Sequence, residues 1–114
     1  MAPFIYDAAT PRSRIEEDIA IRIRTFPKAA SYLAQLQAIS AWGSHSRLGR
    51  ITAPTLVIHG ETDELVPPGN AAILANAIPG ARLVMLPNAS HFFPTDQPEA
   101  SVQTVLSFLG ECET

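Results

Sequence analysis

The feature that most constrains this chain is a pair of short apolar runs, Thr55-Leu56-Val57-Ile58-His59-Gly60 and Arg82-Leu83-Val84-Met85-Leu86. Each is rich in β-branched and aliphatic residues with little polar alternation, as expected of strands buried on both faces in a parallel sheet. Between them Ile73, Leu74, Ala77 and Ile78 recur at helical spacing, and Pro79-Gly80 closes that pattern. Strand, helix, strand reads as a right-handed parallel unit, with Pro54 just ahead of the first strand, where a missing N–H does least harm. A last helix, started near Asp96 and Pro98, carries Val102, Val105, Leu106 and Leu109 on one face. Two strands make a poor parallel sheet alone, because such sheets have both faces covered and continue sideways. Something is expected to be missing beside the first strand.

Residues 1–50 read differently, with helical periodicity only, so the boundary falls near Gly49-Arg50 and divides the chain into 1–50 and 51–114. Ser13 followed by Glu16 has the spacing of a capping box, in which two orphan backbone donors are satisfied reciprocally. Ile15, Ile19, Ile23 and Phe26 then mark one face, and Pro27 interrupts the helix. A second stripe at Ala29, Tyr32, Leu33, Leu36 and Ile39 ends before Gly43, which predicts a helical hairpin.

The 114 residues are 46% hydrophobic and 17% charged, the balance of one globular domain. Eight basic and eleven acidic residues leave a formal charge of −3, and no Lys/Arg run has the density that phosphate neutralisation needs, so no nucleic-acid partner is expected. The single cysteine, Cys112, cannot close an internal disulfide, and no Cys/His cluster is spaced for zinc. No segment approaches membrane-spanning length and the first residues lack a basic leader, so the expected location is the cytoplasm, without a membrane partner. Neither a metal nor a cofactor is implied.

In parallel sheets the loops at the carboxyl ends of strands carry chemistry, because side chains there converge on a crevice above a rigid sheet. The loop after Gly60 holds Glu61, Asp63 and Glu64, and the loop after Leu86 holds Ser90 and His91. If the two strands are neighbours, a carboxylate from the first loop comes within reach of the imidazole from the second. It would accept from Nδ1–H, fix the tautomer and leave Nε2 as a general base.

The stretch Ala53-Pro54-Thr55-Leu56-Val57-Ile58-His59-Gly60-Glu61-Thr62-Asp63-Glu64-Leu65-Val66-Pro67 resembles the penultimate strand and acid loop of α/β-hydrolases. Ile78-Pro79-Gly80-Ala81-Arg82-Leu83, continuing to Asn88-Ala89-Ser90-His91-Phe92-Phe93, resembles the family's last strand and histidine loop. The likeness extends through Pro98 and the helix with Phe108-Leu109, and residues 30–50, with Trp42, resemble the end of the family's helical cap. What the resemblance implies is a partial α/β-hydrolase core of two parallel strands with flanking helices in 51–114, preceded by a cap-like segment in 1–50. It also implies that Asp63 is the triad acid and His91 the triad base, while Glu61 and Glu64 are neither.

The same resemblance asks for a Gly-x-Ser-x-Gly nucleophile elbow and backbone oxyanion donors upstream. Ser13, Ser31, Ser40, Ser44 and Ser46 precede the acid loop, and none has glycines two residues before and after it. Since the family orders its triad as nucleophile, acid, base, the chain reads as a C-terminal portion of a serine hydrolase of carboxylic esters, lactones or similar small molecules, inactive alone.

Two further readings stay open: a self-associating interaction module with relic catalytic residues, and one half of a split hydrolase. Both would use the open edge of the first strand, pairing it with a second copy or with a missing N-terminal half. Plainer roles stand beside the sharp ones. An aspartate in a turn is commonly a cap, and a histidine after a strand can be a loop residue with no task. His59 is expected to be packed with its nitrogens hydrogen-bonded nearby, His45 to be an exposed connector, and Tyr32 and Trp42 to pack the core or cap.

Overall fold

The computed structural model describes residues 5–113. After an irregular strap, the chain forms α1 (Arg12–Arg24), α2 (Ala29–Ala41) and a 3₁₀ turn (His45–Arg50). There follow β1 (Leu56–Gly60), α3 (Gly69–Ala77), β2 (Arg82–Leu86), the single turn α4 (Phe93–Asp96) and α5 (Pro98–Cys112). The architecture is α/β, two parallel strands with flanking helices preceded by further helices, as expected.

β1 and β2 pair in parallel in a two-stranded sheet, in the register Leu56↔Arg82 through Gly60↔Leu86. β2 has the expected limits, whereas β1 starts one residue late. Thr55 nevertheless joins the ladder through its carbonyl, which accepts from the Arg82 amide at 2.9 Å. The crossover helix α3 packs on both strands and on the 3₁₀ turn, and α5 packs on β2. The small apolar core gathers here: Leu48, Val57, Ala71, Ile78, Leu86 and Ala89 are buried, with Tyr6 of the strap. Among the described residues no strand lies beyond β1, so that edge is open.

The helices outside this core depart from expectation in three respects. The capping box does not form. α1 begins with Pro11 at its N-cap, whose fixed φ of −57° already suits the entry, no side chain caps the helix, and Glu16 instead accepts from Arg12 Nε at 2.9 Å. The hairpin is not a packed one. Neither α1 nor α2 has a buried residue, and they share no packed seam, although Phe26 and Tyr32 stack at their connection, 6.4 Å between ring centroids. Lastly, the apolar stripes lie bare: Leu33, Leu36 and Ile39 on α2, the Trp42 ring, and Val102, Val105, Leu106 and Leu109 on α5 are all exposed. Periodicity reports which face of a helix wants cover, not whether the chain supplies it.

Candidate active site

Both loops leave the same end of the sheet because β1 and β2 run parallel and in register. They do not merely sit side by side. A Cβ at Gly60 would lie 2.3 Å from both the Ala89 and Ser90 carbonyl oxygens, so only glycine lets the second loop cross this closely over the end of β1. Hydrogen bonds seal the crossing: Glu61 N–H donates to the Leu86 carbonyl at 2.9 Å and Thr62 N–H to the Ala89 carbonyl at 2.9 Å. Asn88, at φ 53°, makes the left-handed turn that sends the second loop over the first.

Asp63 sits at the closed end of the first loop with its side chain only 3% exposed. Its Oδ1 accepts from the amides of Leu65 and Val66, each at 2.9 Å, which folds the loop back as a local turn. Its Oδ2 accepts from His91 Nδ1 at 3.1 Å and lies 3.2 Å from His59 Nε2. Burial pushes this carboxyl up, but the Val66 amide, the His91 ring and the Leu65 amide together outweigh it and hold Asp63 below the usual carboxylate range. The acid is therefore an anion at neutral pH, held by three hydrogen bonds.

His91 follows the buried pair Ala89-Ser90, and its own side chain is one-third exposed. With Nδ1–H given to Asp63, the neutral ring keeps its lone pair on Nε2, on the side of the imidazole away from the acid. The ring packs edge-on against Phe92, centroids 5.3 Å apart, and Phe92 is covered in turn by Tyr6 and by the Arg22 guanidinium, 3.4 Å from the ring centre. An imidazole oriented by a buried carboxylate, with its second nitrogen directed outward, can take a proton from a donor brought against it and return it.

The two residues singled out from the sequence thus meet, while Glu61 and Glu64 are exposed. His59 is packed as expected, donating to the Val66 carbonyl at 3.0 Å, yet its closeness to the acid was not foreseen. Asp96 was missed altogether. Read from the sequence as a helix start, it is a 3%-exposed carboxylate that accepts from Ser90 N–H at 2.7 Å, immediately before His91. A further acid five residues past the histidine was the available signal. Among the described residues no group of His, Cys, Asp and Glu could hold a metal, and no helix is long and apolar enough to cross a membrane.

Comparison with known proteins agrees with this architecture. The sequence profile described as the alpha/beta hydrolase fold matches residues 9–98. A Pseudomonas savastanoi pv. phaseolicola protein named "Putative carbamate hydrolase RutD" is 34% identical over 96% of the chain. Est816, described as an N-acyl homoserine lactone degrading enzyme, superposes with a TM-score of 0.78 at 29% identity over 94% of the chain. Rv0554 of Mycobacterium tuberculosis shares the fold over 95% of the chain, with a TM-score of 0.80. The chain spans about two fifths of the length of these proteins, 43% of RutD, 44% of Est816 and 40% of Rv0554.

Proposed function

The chain belongs to the α/β-hydrolase fold family, and from that membership we propose that it is the acid- and base-bearing C-terminal portion of a cytoplasmic serine hydrolase, inactive alone. The observation that carries the reading is the 3.1 Å contact between Asp63 Oδ2 and His91 Nδ1, with the acid buried and the ring partly exposed. In this reading a serine from the absent part of the sheet gives its proton to His91 Nε2 as its oxygen attacks the acyl carbon. Asp63 holds the tautomer and stabilises the imidazolium, whose Nε2–H then protonates the leaving group. Water repeats the cycle on the acyl-enzyme, and no cofactor or metal enters. The substrate class is a carboxylic ester, lactone or related acyl compound; the names of RutD and Est816, a carbamate and a lactone, fall within that chemistry.

Inactivity alone follows from what the two residues lack. Loss of the nucleophile costs on the order of a millionfold in turnover, and an Asp-His couple without oxyanion donors cannot replace it. The purified chain is expected to show no turnover of a nitrophenyl ester. Turnover abolished by His91→Ala would overturn this. An upstream reading frame encoding a strand-rich segment with Gly-x-Ser-x-Gly would fit a truncated or split hydrolase, with the missing half docked on the open edge of β1.

A second reading is favoured by that same edge and by the uncovered face of α5: two copies of the chain covering one another as an interaction module. Sedimentation decides it, since a stable monomer at micromolar concentration is incompatible with a module that depends on self-association.

A further inference from the structure

The segment ahead of α1, residues 5–11, does something that neither loop can do for itself. It touches both. Asp7 Oδ2 accepts from the Thr62 hydroxyl at 2.6 Å, next to the acid Asp63, while Asp7 Oδ1 accepts from the Ala9 amide at 2.8 Å and so holds the strap's own turn. The Ile5 carbonyl accepts from Phe92 N–H at 2.9 Å, on the far side of His91. The Thr10 hydroxyl donates to Asp96 Oδ1 at 2.7 Å, and the other oxygen of that carboxylate accepts from Ser90 N–H. Arg14, in the first turn of α1, adds longer contacts to the Thr95 and Asp96 carbonyls.

The consequence lies in which amides are held. The backbone N–H groups immediately before and after His91 are both bound by partners outside the histidine loop, Asp96 on one side and Ile5 on the other. Fixing both flanks leaves the His91 ring little freedom beyond its own side-chain torsions. A carboxylate buried to the depth of Asp96 is costly unless its oxygens are matched by donors, and here each has one, from the loop and from the strap. We infer that Asp96 is a positioning residue which, with the strap at residues 5–10, braces the backbone around His91 so that its ring stays on Asp63. The inference rests on the reading of Asp63 and His91 as acid and base. A misplacement of about 1 Å in such a pair costs on the order of a hundredfold in rate, so a brace of this kind matters to catalysis more than to folding.

The test uses the isotopically labelled chain and reads two protons by NMR: Ser90 N–H and the His91 Nδ1–H bonded to Asp63. Asp96→Ala is expected to speed exchange of Ser90 N–H about tenfold and to weaken the His91 signal, while the β1–β2 ladder amides keep their protection. Asp96→Asn retains an oxygen for Ser90 N–H and an amide that Thr10 can accept from, and should restore the signal. A folded Asp96→Ala chain with an unchanged His91 proton overturns the inference. Should Asp96→Ala fail to fold, Thr10→Val cuts only the tie to the strap. Faster His91 Nδ1–H exchange there supports the brace, and unchanged exchange overturns it. Absence of the His91 proton signal in the unaltered chain would instead sink the acid-base reading, and Ser90 exchange in the variants would then decide the brace by itself.

Discussion

The ends of β1 and β2 and the outer faces of the helices belong to one small chain, yet they are finished to different standards. At the strand ends buried polar groups are matched within the chain: Asp63 takes two amides and the His91 imidazole, and Asp96 takes one amide and one hydroxyl. Along α2 and α5, by contrast, isoleucine, leucine and valine side chains stand in solvent. The difference follows from the range of the forces. A hydrogen-bonded loop is closed by neighbours a few ångströms away, whereas an apolar helix face is stabilised only when an extended surface is laid against it. The hydrogen bonds of the acid and histidine loops are thus closed within the chain, with the strap's help, whereas the bare helix faces are closed only by an extended surface laid against them.

The harshest way to break the finished region is at the crossing of its two loops. Gly60→Ala places a methyl group 2.3 Å from two backbone carbonyl oxygens, which no side-chain rotation relieves. The loops must part, at an expected cost of about 3 kcal/mol, read as a fall in the denaturation midpoint and in Tm. The His91–Asp63 contact should be lost in whatever remains folded.

That crossing also marks how far the sequence could be read. The apolar runs fixed two parallel strands, and placing Asp63 and His91 after them was enough to bring the two residues to one end of the sheet. The brace was not legible, because Asp7, Thr10 and Asp96 are ordinary polar residues in turns, and only folding brings Thr10 to Asp96 across 86 positions. The capping box failed for a local reason. Ser13-Arg14-Ile15-Glu16 has the right spacing, but Pro11 already sets the helix entry and Arg12 engages Glu16. The stripes at Leu33, Leu36 and Ile39 were legible as faces, but periodicity does not say what covers a face, and among the described residues these three stay exposed.

Removing the acid is the next largest effect. Asp63→Ala strands the Leu65 and Val66 amides and leaves the His91 imidazole without its acceptor, at an expected cost of about 2 kcal/mol in urea unfolding. Asp63→Asn isolates the charge from the shape, and pH reads it. Because the folded state holds Asp63 below its unfolded value, the stabilisation it contributes is complete above the ordinary carboxylate pKa of about 4 and is lost as pH falls through the depressed folded value. Asp18, also held low, between the Tyr6 hydroxyl and Arg22, adds acid sensitivity of the same sign. Tyr6 works at the other extreme. Raised to about 12 by burial and by Asp18, it contributes stability that is complete below its ordinary value near 10 and is lost as pH rises from there through 12. The acid limb should flatten in Asp63→Asn and the alkaline limb in Tyr6→Phe.

The smallest effects belong to the bare faces, and there the size of the effect discriminates between readings. Leu106 on α5 is 58% exposed and Ile39 on α2 is 69% exposed, so Leu106→Ser and Ile39→Ser remove little buried surface from an isolated chain. Each is expected to change its stability by no more than about 0.5 kcal/mol, far below Gly60→Ala. A self-associating module predicts otherwise at any residue its interface covers: a loss of about 2 kcal/mol or more, with a midpoint that moves with protein concentration as mass action requires. Thermal unfolding of the two serine variants over a hundredfold range of concentration separates these cases. Concentration-independent midpoints with small shifts at both sites would show that a second copy covers neither the α2 nor the α5 face, and a large concentration-dependent shift at one of them would name the face on which two copies meet.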